Sequence, residues 1–133
     1  MPAMKRDMAS MCDPGLSEAG TVLAIHAHPD DIEFTMAGTL LLLGARGWRI
    51  HYLNLANGCY GSTTLAPEDT ARVRREEARA AAGQLGATFY PPICNDLEVA
   101  HTAEMIRRVG AIVRRARPSI VLTASPQDYM EDH

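Results

Sequence analysis

Cysteine is scarce in this chain, and the three present (Cys12, Cys59 and Cys94) are widely separated, with no Cys-x-x-Cys pair. Neither a zinc knuckle nor a disulfide framework is indicated, so a reducing, cytoplasmic setting is the default expectation. No apolar run approaches the roughly 20 residues that a bilayer-spanning helix needs. Residues 1–20 carry Lys5 and Arg6 with no apolar core after them, so they read as a flexible lead-in and not as a secretory signal. Basic charge is not in excess either: 13 basic and 16 acidic residues leave a formal net charge of −3. That charge gives no footprint for nucleic acid or an anionic membrane, and neither is expected as a partner. The first apolar stretch is not followed by Gly-x-Gly-x-x-Gly, which argues against a dinucleotide cofactor.

What remains is a chain of 133 residues with a globular apolar fraction of 47%, enough for one domain with a real core, expected over residues 21–133. A β-branched, apolar run over 21–27 predicts a strand buried on both faces. A helix is expected over 34–47, and Gly38 inside it predicts close packing against the sheet. Alternation over 48–55 predicts a second strand, and Asn57-Gly58 and Gly61-Ser62 mark a loop after it. Pro67 and the acids Glu68 and Asp69 open a second helix over 67–85, with Gly86 just beyond it. A short strand over 88–90, a third helix over 102–117 and a buried apolar strand over 119–124 follow. The apolar stripe of the third helix runs through Met105, Ile106, Val109, Ile112, Val113 and Ala116, leaving its basic residues on a solvated face. Strands alternating with helices predict an α/β architecture: a mostly parallel, Rossmann-like sheet with helices on both faces. Ligands gather at the carboxyl ends of strands in such sheets.

The most chemically loaded stretch falls at such an end. Residues 28–33 put an imidazole and three carboxylates into one turn between the first strand and the first helix. His28 and Asp31, three positions apart, can close on one metal ion in a tight turn, because imidazole nitrogen and carboxylate oxygen are good zinc ligands. Asp30 is then free beside the metal, where a hydrolase needs its general base. The same letters are also ordinary helix-start chemistry, with Pro at the first position and acids at the positive end of the dipole. Spacing alone leaves both readings open. Arg74 is a charged group on a stripe otherwise made of Ala71, Ala78, Ala81, Ala82 and Leu85. It either snorkels to the edge of that face or points into a polar site near the sheet. Cys59 could line a site or act as a small filler.

The full string Ala-His-Pro-Asp-Asp-Ile-Glu, residues 27–33, resembles the first motif of the LmbE-like, or PIG-L, family of zinc-dependent de-N-acetylases. The tail Ser-Pro-Gln-Asp-Tyr-Met-Glu-Asp-His, residues 125–133, resembles that family's second motif, which commonly reads His-Pro-x-Asp, a short spacer, then His-x-Asp-His. The resemblance runs from about residue 21 to residue 133. It implies that His133 joins His28 and Asp31 as the third ligand of Zn²⁺, with Fe²⁺ fitting the same set, and that Asp30 is the catalytic base. Asp128 and Asp132 would orient the loop or a ligand ring. Asn57, Arg74 (within Arg-Arg-Glu-Glu-Ala) and Asp96 would face the substrate. Two positions depart from the pattern: Ser125 and Met130 stand where many members have His, and Met cannot donate a proton. The resemblance implies a hydrolase that removes acetyl from a small N-acetylglucosamine-type conjugate, and it leaves room for a homo-oligomer. The alternative is a catalytically incomplete fragment that only binds metal or sugar. Family chains continue past this point, so the fold is expected to be incomplete at its C-terminal end and the loop 125–132 to be mobile.

Overall fold

The computed structural model describes residues 18–133. Cys12 and residues 1–17 of the expected lead-in lie outside the described residues. The most apolar strand, β1 (Thr21–His26), is buried at every position. Around it, in chain order, come α1 (Asp31–Ala45), β2 (Arg49–Asn54), α2 (Pro67–Gln84), β3 (Thr88–Tyr90), α3 (Ala103–Ala116) and β4 (Ile120–Leu122). The sheet order is β3-β2-β1-β4 and every pairing is parallel, so β1 and β2 are the inner strands. The α/β architecture with a parallel sheet is the one the alternation of elements predicts.

Side-chain alternation along the inner strands divides the core into two layers. Val22, Ala24, Ile50 and Tyr52 face α1 and α2, where Ile32, Met36, Leu40, Leu43, Ala78 and Ala82 meet them. Leu23, Ile25, Leu53 and Tyr90 face the opposite way, against Val109, Ile112, Val113 and Ala116 of α3. Helices therefore cover both faces. Among the described residues no helix is long and apolar enough to cross a membrane.

Three local expectations need correction. α1 begins at Asp31, three residues before the predicted start, because the Pro29-Asp30 turn already directs the chain into the helix. Gly38 does not pack against the sheet: it is exposed, and a Cβ there would meet nothing within 4 Å among the described residues. β4 is not buried as its apolar sequence predicts; it is an edge strand paired only to β1, and Val121 is 46% exposed.

Candidate functional site

The parallel register carries past the ends of β1 and β2 and fixes the turn that follows. Leu55 N donates to His26 O (2.9 Å), Ala56 N to Ala27 O (2.8 Å) and Asn54 Nδ2 to His28 O (2.6 Å). Asp30 then takes a left-handed conformation (φ 88) at the N-terminus of α1, and its side chain does not cap the helix. The following residue, Asp31, turns back instead: its Oδ2 accepts from His28 N at 2.7 Å.

That single oxygen is the centre of the site. His26 Nδ1 lies 2.9 Å from Asp31 Oδ2, His133 Nε2 3.4 Å and His28 Nδ1 3.5 Å. The far nitrogens of two of these rings meet carboxylates. His28 Nε2 is 2.9 Å from Asp132 Oδ2, and His133 Nδ1 is 3.0 Å from Asp128 Oδ2. Asp132 is buried and also accepts from Leu97 N at 2.8 Å, which ties the 125–133 segment to the loop after β3. Hydrogen bonding to Asp31, with a further contribution from Asp132, overcomes burial and raises the pKa of His28 to about 9. Burial lowers that of His26, although Asp31 pulls the other way. Burial would raise the Asp31 carboxyl, but the hydrogen bonds from His28 and the neighbouring imidazoles hold it below the ordinary range.

The donor set suits a metal ion. One ligand atom each from His26, Asp31 and His133 lie within 4.8 Å of one another. Among the described residues, His133 Nε2 is buried with no hydrogen-bond partner while facing the Asp31 carboxylate. A carboxylate on the far nitrogen of His28 and of His133 is the arrangement that fixes tautomer and ring orientation in metal-ligating histidines.

A cavity of about 470 Å³ opens over these groups. His28, Asp30, Asp31, Asp132 and His133 line its polar part, and Tyr60, Leu97 and Met130 its apolar part, beside Gly58, Arg74 and Asp96. Arg74 does not run out along its helix face. Its Nη2 donates to Pro29 O and to Asp30 Oδ2, both at 2.6 Å, and its Nη1 to Glu77 Oε2 at 2.6 Å. Asp96 is buried; its Oδ1 accepts from Gly58 N (2.7 Å) and lies 4.0 Å from His28 Nε2, and its Oδ2 accepts from Tyr60 N (2.9 Å). Gly58 is required as glycine: φ is +77, and a Cβ would lie 3.0 Å from Arg74 Cγ.

The other residues singled out in the sequence are placed as follows. Asn57 lies outside the cavity lining; its Nδ2 donates to Asn95 Oδ1 (2.8 Å) and its Oδ1 accepts from Cys59 N (3.1 Å). Cys59 is a buried filler, and Ser125 is exposed, its Oγ accepting from Gln127 N at 3.2 Å. Met130 faces the cavity without a titratable group. Sequence reasoning passed over His26, Tyr60 and Leu97. A polar residue ending a fully buried strand, two positions before His28, was a usable signal for His26; the rim positions of Tyr60 and Leu97 depend on loop packing and left none.

The chain is similar to known proteins in sequence and in fold. The family model described as PIG-L, GlcNAc-PI de-N-acetylase, matches residues 23–133. Diacetylchitobiose deacetylase of Thermococcus kodakarensis is 32% identical over 115 residues, which is 84% of this chain and 43% of that protein. N,N'-diacetylchitobiose deacetylase from Pyrococcus horikoshii has a similar structure, with a TM-score of 0.80 at 29% identity over 87% of this chain and 46% of its own. GalB, the 4-carboxy-2-hydroxymuconate hydratase of Pseudomonas putida KT2440, follows at a TM-score of 0.77 and 27% identity, over 86% and 51% of the two chains. The chain spans about half the length of these relatives.

Proposed function

The chain belongs to the PIG-L family, and from that premise we propose that it carries the metal-binding site of a de-N-acetylase acting on N-acetylglucosamine-type conjugates. The observation that carries the reading is His133 Nε2, buried, without a hydrogen-bond partner among the described residues and facing Asp31 Oδ2, with Asp128 on the other nitrogen of the ring. His28 offers Nδ1 to the same oxygen while Asp132 holds its Nε2. In this reading His28, Asp31 and His133 hold Zn²⁺, and Fe²⁺ fits the same donors. A bound divalent ion polarises a carbonyl and makes water a nucleophile near neutral pH.

The chain's own residues supply the rest. Asp30 takes a proton from the attacking water, and the Arg74 guanidinium at 2.6 Å fixes the direction its carboxylate faces. Water adds to the acetamide carbonyl, the C–N bond breaks, and the proton held at Asp30 passes to the leaving nitrogen, so acetate and an amine are the products. Met130 has no proton to give, so both transfers fall to Asp30. Tyr60, Leu97 and Met130 offer apolar surface to the sugar or to the group it carries. Asp96 and Asn57 act on substrate through the loop they fix, since their polar atoms are already bonded to protein.

A second reading follows from the likeness to the hydratase: the same base and donors would add water across a carbon–carbon double bond of an unsaturated acid. A third is a metal- or sugar-binding protein without turnover, favoured by Met130, which lines the cavity without a titratable group. The deciding experiment loads the protein with zinc and measures acetate from N-acetylglucosamine, diacetylchitobiose and N-acetylglucosaminyl lipids. The absorbance of a conjugated unsaturated acid is followed in parallel. Acetate release that disappears in Asp30→Asn supports the deacetylase. Loss of diene absorbance without acetate favours the hydratase, and metal uptake with neither product favours the binding protein.

A further inference from the structure

We propose that the sugar taken by this cavity carries an apolar aglycone and that Leu97 is the residue that selects it; the inference rests on the de-N-acetylase reading given above. Three large apolar side chains ring the mouth of the cavity although water reaches them: Leu97 is 73% exposed, Tyr60 62% and Met130 37%. Each comes from a different segment of chain. Each also has its backbone N–H held by a carboxylate: Leu97 N donates to Asp132 Oδ2 (2.8 Å), Tyr60 N to Asp96 Oδ2 (2.9 Å) and Met130 N to Asp128 Oδ1 (3.0 Å). The rim is therefore fixed before any ligand arrives, and little ordering is left to oppose binding. Exposed apolar side chains gathered around one concavity mark a binding surface, where scattered ones do not.

Leu97 is the informative member of the three. Its φ of 66 is left-handed, a conformation that glycine adopts freely and leucine does not. The backbone has a reason to be there, since it aims the Leu97 N–H at Asp132, the carboxylate 2.9 Å from His28 Nε2. Glycine would meet that need with less strain; what leucine adds is an isobutyl group standing in the cavity mouth. The carboxylates beneath the rim are already engaged: Asp96 by Gly58 N and Tyr60 N, Asp132 by Leu97 N and His28, Asp128 by Met130 N and His133. A second sugar seated at the rim would set its hydroxyls against leucine and methionine side chains. An alkyl chain or an aryl ring would instead remove apolar surface from water on both partners, and each methylene so covered tightens binding about fourfold. In the de-N-acetylase reading the acetamide lies over His28, Asp31 and His133, so the group left to meet the rim is the aglycone.

The test compares methyl and hexyl β-glucosaminide, the amine products of the matching N-acetyl glycosides, which bind without being turned over. Calorimetric titration in the presence of zinc should show the hexyl compound binding about tenfold or more tightly than the methyl one, the effect of about two methylenes covered by the rim. In Leu97→Gly that ratio should fall to about fourfold or less. The urea midpoint of the variant should equal or exceed that of the unsubstituted chain, because glycine relieves the left-handed backbone. A lowered midpoint would make Leu97 a support of the fold and overturn its part in selection. Equal affinity for the two glycosides, or an unchanged ratio in Leu97→Gly, overturns the proposal. So does a gain that appears only when the six-carbon chain is on the nitrogen, as in methyl N-hexanoylglucosaminide. Acetate release from the N-acetyl glycosides is measured separately. A hexyl preference with no acetate from either compound overturns the de-N-acetylase reading alone, and acetate released with no hexyl preference overturns this inference alone.

Discussion

Asp96 is expected to act on stability before it acts on any substrate. Both of its oxygens are engaged, one by Gly58 N and one by Tyr60 N, across 38 and 36 residues of chain. Asp96→Ala removes both acceptors at once. The Gly58 N–H is buried and is left without a partner, whereas the Tyr60 N–H is only part-buried and regains water. Hydrogen bonds to a charged group contribute about 1.5–3 kcal/mol each, and the full cost falls only on the buried one, so a loss of about 2–4 kcal/mol is expected. Asp96→Asn keeps one acceptor but turns an N–H₂ toward a backbone donor, so about half that loss should remain. Urea unfolding of the metal-free protein reads the midpoint, and amide exchange at Gly58 and Tyr60 reads the loop. An Asp96→Ala variant that unfolds at the unsubstituted midpoint with the Gly58 amide still protected would refute the reasoning. Asp96 would then be free to serve a ligand directly.

Asp30→Asn should bind metal normally and lose about 10²–10⁴-fold in turnover, since Asn keeps the shape but cannot accept the proton; metal content measured beside acetate release separates the two effects. Gly58→Ala should destabilise by about 1–3 kcal/mol, because a side chain at φ +77 is strained and its Cβ would press on Arg74 Cγ at 3.0 Å; a urea midpoint unchanged from the parent contradicts this. In the metal-free protein the pKa of His28 is raised from 6.5 to about 9. Its protonated form then contributes stability that is fully present below pH 6.5 and is lost as pH rises through about 9, which a melting series over that range detects. Metal competes with that proton, so affinity should climb about tenfold per pH unit up to about 9, and a flat profile argues against His28 as a ligand.

Much of the fold was legible because it rests on local periodicity. Along β2 the alternation carries Ile50 and Tyr52 into one core layer and Leu53 into the other. β3 is fenced by Gly86 and Pro91, and its residues matched the expectation. Where the sequence misled, the missing information was tertiary. α1 is apolar on nearly every side, with Phe34 85% exposed and Leu40 fully buried, so no pattern within it says which face meets the sheet. Gly38 fell on the open face for that reason. The residues of β4 are as apolar as those of β1, but an outer strand has one neighbour where an inner one has two, and burial follows the neighbours.

The site was legible at residues 28–31 because a strand-to-helix turn brings together residues adjacent in sequence. Its remaining contacts span long stretches of chain: Arg74 to Asp30 over 44 residues, Asp132 to Leu97 over 35, and His28 to Asp132 over 104. The two neighbouring aspartates show how backbone conformation divides the work. Had both been helical, their side chains would stand about 100° apart on one surface of the first turn. The left-handed Asp30 breaks that continuity. Its carboxylate turns to Arg74, while Asp31 enters the helix and folds back on the end of β1. A non-glycine residue in this conformation costs about 1–2 kcal/mol, and Asp is among the residues that tolerate it. Glycine would relieve the strain and remove the carboxylate. The strained residue neither caps the helix nor fills the core; its side chain reaches Arg74 at the cavity, which is where the proposed base would stand.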